Sequence, residues 1–170
     1  YILEFRPPSG SDMTEWSGDQ PAPTTATTVT VLTAGSTTGI DAQLNPGARI
    51  RGQISGNGGA ALSSVRVDVY NASGQAVASA YSDVTGVYTT SPGLPSGPYR
   101  LFYSQAYGYA SEYYNNASDL STATAVTLTT PTLHNGIDAQ LESGGTITGV
   151  VTSAATGLPL PSISVLASGN

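Results

Sequence analysis

Lysine is absent from this chain, and all five basic residues are arginines: Arg6, Arg49, Arg51, Arg66 and Arg100. Without a lysine amine there can be no Schiff-base lysine, no Walker-type phosphate lysine and no lysine–asparagine isopeptide staple. Cysteine is also absent, which removes disulfides and thiolate metal sites. Charge of either sign is scarce: 9% of the 170 residues are charged, against roughly a quarter in an average soluble domain. The surface must therefore be made polar by Thr, Ser, Asn, Gln and Tyr. A net charge of −6 and a pI near 4.3 argue against nucleic acid as a partner, because binding a polyanion relies on clustered Lys and Arg. No apolar run approaches the ~20 residues a membrane span needs, and no signal peptide stands at Tyr1. A Thr-rich, lysine-free, weakly charged β chain suits an extracellular or cell-surface location.

What is present is a repeat. Gly39-Ile40-Asp41-Ala42-Gln43-Leu44 recurs letter for letter 97 residues on, as Gly136-Ile137-Asp138-Ala139-Gln140-Leu141. At the same offset Glu15 meets Glu112, Trp16 meets Tyr113, Val29 meets Val126, Ile50 meets Ile147 and Gly52 meets Gly149. One residue further, Tyr1-Ile2-Leu3 meets Tyr99-Arg100-Leu101, and Leu62, Val65 and Val67 meet Leu160, Ile163 and Val165. Residues 1–46 then read as the later part of one unit, 47–143 as a complete unit and 144–170 as the early part of a third. Neither partial unit can bury its own apolar face, so its missing strands are expected from more chain or from a neighbouring molecule.

Periodicity points to β structure throughout. Ile50, Gly52 and Ile54 alternate with Arg51 and Gln53; Val65, Val67 and Val69 with Arg66, Asp68 and Tyr70; Tyr99, Leu101 and Tyr103 with Arg100 and Phe102; Val126 and Leu128 with Thr127; and Ile137, Ala139 and Leu141 with Asp138 and Gln140. A period of two buries one face and wets the other. Clusters such as Gly56-Asn57-Gly58-Gly59, Asn71-Ala72-Ser73-Gly74 and Ser96-Gly97-Pro98 separate the strands, and helical spacing never lasts beyond a turn. The expected fold class is all-β: tandem immunoglobulin-like or transthyretin-like sandwiches of about 97 residues, with Ile50, Ile54, Val65, Val67, Val69, Leu101, Val126, Leu128, Ile137 and Leu141 inside.

Within the complete unit, Ser82-Asp83-Val84-Thr85-Gly86-Val87-Tyr88 precedes Leu94-Pro95-Ser96-Gly97-Pro98-Tyr99. Asp83 can cap the turn, Gly86 can take a positive φ, and the rings of Tyr88 and Tyr99 can lie over the sandwich. Together with Ile50-Arg51-Gly52-Gln53-Ile54 and the Leu62–Val69 strand, this resembles the carboxypeptidase regulatory-like family of prokaryotic surface proteins over residues 48–142, with Ser82 where the family's motif has Thr. The resemblance implies a transthyretin-like sandwich whose motif residues are structural, in a spacer, an adhesin stalk or an enzyme accessory module.

Candidate chemistry is sparse. His134 is the lone histidine, its counterpart is Thr37, and a loop position is expected for it. Asp41 and Asp138 repeat, but they share a strand face with Gln43 and Gln140, as solvated residues do. Asp83, Asp119, Asp138 and Glu142 lie in turns or near a junction without a D-x-D-x-D run, so neither calcium nor any other cofactor is expected. No activated nucleophile or acid–base pair emerges, and an enzyme is not expected. The aromatic group Tyr103, Tyr107, Tyr109, Tyr113 and Tyr114 suits an inter-repeat or inter-subunit contact; carbohydrate stacking is the alternative. Asn71 and Asn116 begin Asn-x-Ser sequons and are candidate glycosylation sites. The assembly interface is assigned to Tyr1, Leu3 and Phe5 on one side and to Ile147, Val151, Ile163 and Val165 on the other. The expected function is a segment or subunit of an extracellular filament, stalk or sheath whose partners are copies of itself. An adhesin or carbohydrate-binding module, or an accessory domain of a secreted peptidase, is the alternative.

Overall fold

The computed structural model describes residues 1–91 and 93–166. Among them there is no helix, and hence none long and apolar enough to cross a membrane. Eleven strands follow in order: β1 (Glu4–Phe5), β2 (Glu15–Trp16), β3 (Arg49–Gly56), β4 (Arg66–Tyr70), β5 (Ala76–Tyr81), β6 (Val87–Thr89), β7 (Gly97–Ser104), β8 (Glu112–Tyr113), β9 (Val126–Leu128), β10 (Leu133–His134) and β11 (Ala139–Leu141). Strands β3 to β11 form a two-sheet sandwich. One sheet is centred on β3, which has β6 antiparallel on one edge and β10 and β11 parallel on the other; the second runs β5-β4-β7-β8, with β9 also on β7. β1 and β2 pair separately.

The alternation in β3 and β7 explains the core. Ile50, Gly52 and Ile54 are buried while Arg51 and Gln53 are exposed, and in β7 Tyr99, Leu101 and Tyr103 are buried. Val65, Val67 and Val69 face them from the β4 segment, with Leu128 and Leu141 completing the interior. Each fully buried aliphatic side chain contributes about 1.5–3 kcal/mol relative to exposure, so this cluster is the main stabilising element.

The connection between the early and late strands of the unit is polar and close-packed. Between β10 and β11 the Ile137 N–H donates to Arg51 O at 3.2 Å, and the Gln53 N–H donates to Asp138 Oδ1 at 2.8 Å. The Ile137 carbonyl turns inward instead, where it accepts from the Tyr88 hydroxyl at 2.7 Å and the Tyr103 hydroxyl at 3.4 Å. The two phenols lie edge to face, 6.1 Å apart, and burial pushes both of their pKa values up, so both remain donors. A Cβ at residue 52 would overlap this carbonyl, which is why the position must be Gly52.

Several expectations are corrected. Tyr99 and Tyr103 lie on the inward face that the β7 alternation predicts, which takes Tyr103 out of the aromatic contact group, and Tyr88 joins them in the core; their hydroxyls find partners inside, Tyr99 donating to Pro95 O at 3.0 Å and the other two sharing Ile137 O. Ile137 is only half-buried, since its carbonyl, not its side chain, is the buried group. Asp68 is buried, held by Arg66 at 2.8 Å, and the β4 strand starts at Arg66 after a left-handed Ser64. His134 sits in β10, where its Nε2 accepts the Thr129 N–H at 2.9 Å. The Asp83 turn forms as expected. The Asp83 Oδ1 accepts from the Thr85 hydroxyl and from the Thr85 and Val87 N–H groups, which holds its carboxyl below the usual range, and Gly86 has a φ of 78°.

Backbone geometry in the flanks copies the centre at offsets of 97 or 98 residues. The pairs Glu4↔Trp16 and Phe5↔Glu15 match Phe102↔Tyr113 and Tyr103↔Glu112. The bridges Asp12↔Pro46 and Trp16↔Gln20 match Tyr109↔Ser143 and Tyr113↔Ala117, while Ser55↔Ala61 matches Thr152↔Pro159.

Replacing Gly52 with Ala is expected to destabilise the sandwich by about 3 kcal/mol, the upper end of overpacking costs, because a backbone carbonyl has no room to retreat. A denaturant midpoint close to that of the unaltered protein would contradict this account of the contact between β3 and the β10–β11 segment.

Candidate assembly surfaces

The two flanks expose what the central unit buries. Ile50, Ile54, Val65 and Val67 are fully buried, yet their counterparts Ile147, Val151, Ile163 and Val165 are exposed, Ile147 by 87% and Val165 by 77%. From Glu142 to Leu166 only Ser153 is even half-buried. The segment is nonetheless shaped: the Ser153 N–H donates to Leu158 O and the Leu160 N–H to Val151 O, both at 2.9 Å, repeating the bonds Gly56 N–H to Ala60 O and Leu62 N–H to Ile54 O.

On the other flank the first residues are tied down. The Tyr1 ammonium donates to Val29 O at 2.8 Å, the Val29 N–H donates to Tyr1 O at 2.6 Å, and Ser17 bridges Leu3 and Thr27. Leu3 and Phe5 are half-buried and the Tyr1 side chain is exposed, whereas their counterparts Tyr99, Leu101 and Tyr103 are core residues. Thr30 through Gln43 is exposed throughout, including Val31, whose counterpart Leu128 is buried.

Where this flank meets the central sandwich, backbone groups and the Ser91 hydroxyl make the hydrogen bonds. The Gly10 N–H donates to Ser91 Oγ, the Gly47 N–H to Ser11 O and the Gly93 N–H to Asp12 O. Beside it Glu15 is buried. Its Oε1 accepts the Asn45 N–H and Nδ2, both at 2.9 Å, while its Oε2 has no hydrogen-bond partner; with Met13, Asp19 and Pro95, Glu15 lines a cleft of about 240 Å³. One unit on, the equivalent pair is Glu112 and Glu142. Partial burial raises the Glu112 pKa, and the charge on Glu142 adds to the shift.

The remaining residues singled out in the sequence are dispersed. Tyr107 is fully exposed, Tyr109 lies over Gly56, Tyr113 packs on Phe102 with ring centroids 4.6 Å apart, and Tyr114 packs against the core. They do not form one aromatic platform. Asn71 is committed to its own turn: its Oδ1 accepts the Ser73 and Gln75 N–H groups and its Nδ2 donates to Gln75 Oε1. Asn116 is exposed in the left-handed region, with a φ of 58°, as is its counterpart Asp19 at 56°. Among the described residues no three His, Asp or Glu side chains gather as a metal site would require.

A carboxyl whose pKa is raised on folding opposes folding at neutral pH, and that opposition fades as pH falls through the folded-state value. Glu142→Asn, which copies Asn45 of the first flank, is expected to move the Glu112 pKa down toward the ordinary carboxylate value in an NMR titration. No movement would show that Glu142 does not act on Glu112.

No protein-family model matches the chain, so the carboxypeptidase regulatory-like resemblance rests on its motif residues alone. No curated protein matches either. Among solved structures, the Bacillus anthracis TIE protein is similar with a TM-score of 0.45 and 18% identity, over 59% of this chain and 18% of that one. The group B streptococcus pilus 2b backbone protein gives 0.40 and 18%, over 58% and 42%. The major pilin subunit of Bacillus cereus gives 0.39 and 14%, over 55% and 28%. The chain thus spans less than half the length of each of these proteins.

Proposed function

We propose that this chain is a structural segment of an extracellular or cell-surface filament, stalk or sheath, in which β-sandwich units join end to end and its partners are copies of itself. Residues 1–46 act as the late strands of one unit, 47–143 as a complete unit and 144–170 as the early strands of the next. The observation that carries this reading is the matched exposure of the flanks: four apolar positions buried in the central unit stand open at Ile147, Val151, Ile163 and Val165. Burying such side chains contributes up to about 1.5–3 kcal/mol each toward association, set against an association cost of roughly 4–15 kcal/mol that preshaped turns reduce.

The role is mechanical, not catalytic. Buried carboxylates and phenols here hold strands together: Glu15 anchors Asn45, and Tyr88 and Tyr103 anchor Ile137. A contact that joins the late side of one unit to the early side of another is heterologous and does not close on itself, so it propagates into a filament. The carboxypeptidase regulatory-like motif around Asp83 and Gly86 fits this use, since its residues set a turn and carry no chemistry.

Substituting both Ile163 and Val165 with Asp is expected to abolish association of the 170-residue chain, read by light scattering and electron microscopy. The central sandwich should keep its unfolding midpoint within about 0.5 kcal/mol, as exposed substitutions usually do. Persistent assembly of this variant, or a lone soluble monomer of the unaltered chain at high concentration, would refute the proposal.

A further inference from the structure

Resting on the self-assembly reading, we infer that the extended segment before Ser153 of one copy pairs in parallel with residues 37–44 of a second copy of this chain, in one fixed register that seats the Ile40 carbonyl of the second copy against Gly149 of the first. The central unit supplies the template. There β3 pairs in parallel with β10 and β11, with Ile50 beside His134, Ile54 beside Ala139 and Gly56 beside Leu141. Shifting the β3 residues forward by 97 and the β10–β11 residues back by 97 gives Ile147 beside Thr37, Val151 beside Ala42 and Ser153 beside Leu44.

Both surfaces already hold the shape that this pairing needs. Gly39 and Gly136 have the same φ of 76°, the kink that precedes the inward-turned Ile137 carbonyl in the central unit. On the opposing side, the turn after Val151 carries the same hydrogen bonds as the turn after Ile54. A preshaped pair loses less conformational freedom on binding.

Two residues fix the register. In the central unit a Cβ at Gly52 would overlap the Ile137 carbonyl, whereas at Gly149 a Cβ would meet nothing within 4 Å. Gly149 is not in a positive-φ conformation, so neither strain nor crowding within its own chain calls for glycine there. The arriving Ile40 carbonyl does. Asp41 is the second: its counterpart Asp138 accepts the Gln53 N–H across the strand break, and Asp41 would accept the Val150 N–H in the same way. The side chains that follow, Val165 and Leu166, would then come beside Phe5 and Glu4, as Val67 and Asp68 lie beside Tyr103 and Phe102.

The absence of cysteine makes the register measurable by cross-linking. Full-length Ala42→Cys and Val151→Cys variants, mixed and oxidised, should form a disulfide-linked heterodimer, because aligned neighbours on adjacent strands fall within disulfide reach. A mixture of Gln43→Cys with Val151→Cys should not, because alternate residues point to opposite faces. Gly149→Val should fold, having open space around it, yet weaken association by at least about tenfold, while Gly145→Ala, which copies the buried Ala48, should leave it unchanged. Unaltered chains that associate while neither mixture cross-links, or both do equally, would overturn this register and leave the filament reading standing, as would full association of Gly149→Val. Unaltered chains that do not associate would overturn both. A cross-link formed within one chain of the Ala42→Cys/Val151→Cys double variant at high dilution would show intramolecular pairing and overturn the second copy as the occupant.

Discussion

The contact between the Ile137 carbonyl and the space left by Gly52 governs the rest of this structure. It joins strands about 85 positions apart in the chain, β3 at the start of the unit and β11 at its end, so the sandwich cannot close until the whole unit has been made. The carbonyl has to enter the core because β10 and β11 are broken from one another at this point. Once inside, it must be satisfied, and the hydroxyls of Tyr88 and Tyr103 meet that need. A buried carbonyl left without partners would cost about 1–3 kcal/mol, so glycine, kink and two tyrosines form one interdependent set.

Long-range closure of this kind has a consequence for any chain built from such units. Local turns form wherever their residues occur, as the copied hydrogen bonds around Gly157 and Leu160 show. A buried face, in contrast, exists only where early and late strands meet. In the central unit they meet within the same stretch of chain. In the flanks the turns form while Ile147, Val151, Ile163 and Val165 remain exposed, and exposed strand edges are prone to pair with another strand.

The charge pattern complements this. With few ions on the surface, strand edges are guarded by little more than hydroxyls and amides, and the salt bridges Arg6–Glu4 and Arg66–Asp68 are each local to one strand or its immediate end. Charged gatekeepers on edge strands ordinarily suppress edge-to-edge pairing. Their scarcity here leaves these edges without charged gatekeepers, so in the proposed pairing selectivity would fall to backbone shape: the kink at Gly39 and the bare backbone at Gly149.

The sequence by itself determined the all-β class, the turns at Asp83 and Asn71, the period-two core from Ile50 to Leu141 and the correspondence between Gly52 and Gly149, because all of these follow from local propensity, alternation or simple repetition. It did not determine what satisfies the hydroxyls of the interior tyrosines. Alternation puts Tyr99 and Tyr103 on the inward face of their strand, but a phenol enters a core only where a partner for its hydroxyl waits, and those partners, Pro95 O and Ile137 O, are placed by the fold. Nor could it show why position 52 is glycine, or that position 149 is open: a glycine's reason lies in what approaches it, and only the tertiary structure brings residue 137 to residue 52 and leaves residue 149 facing empty space.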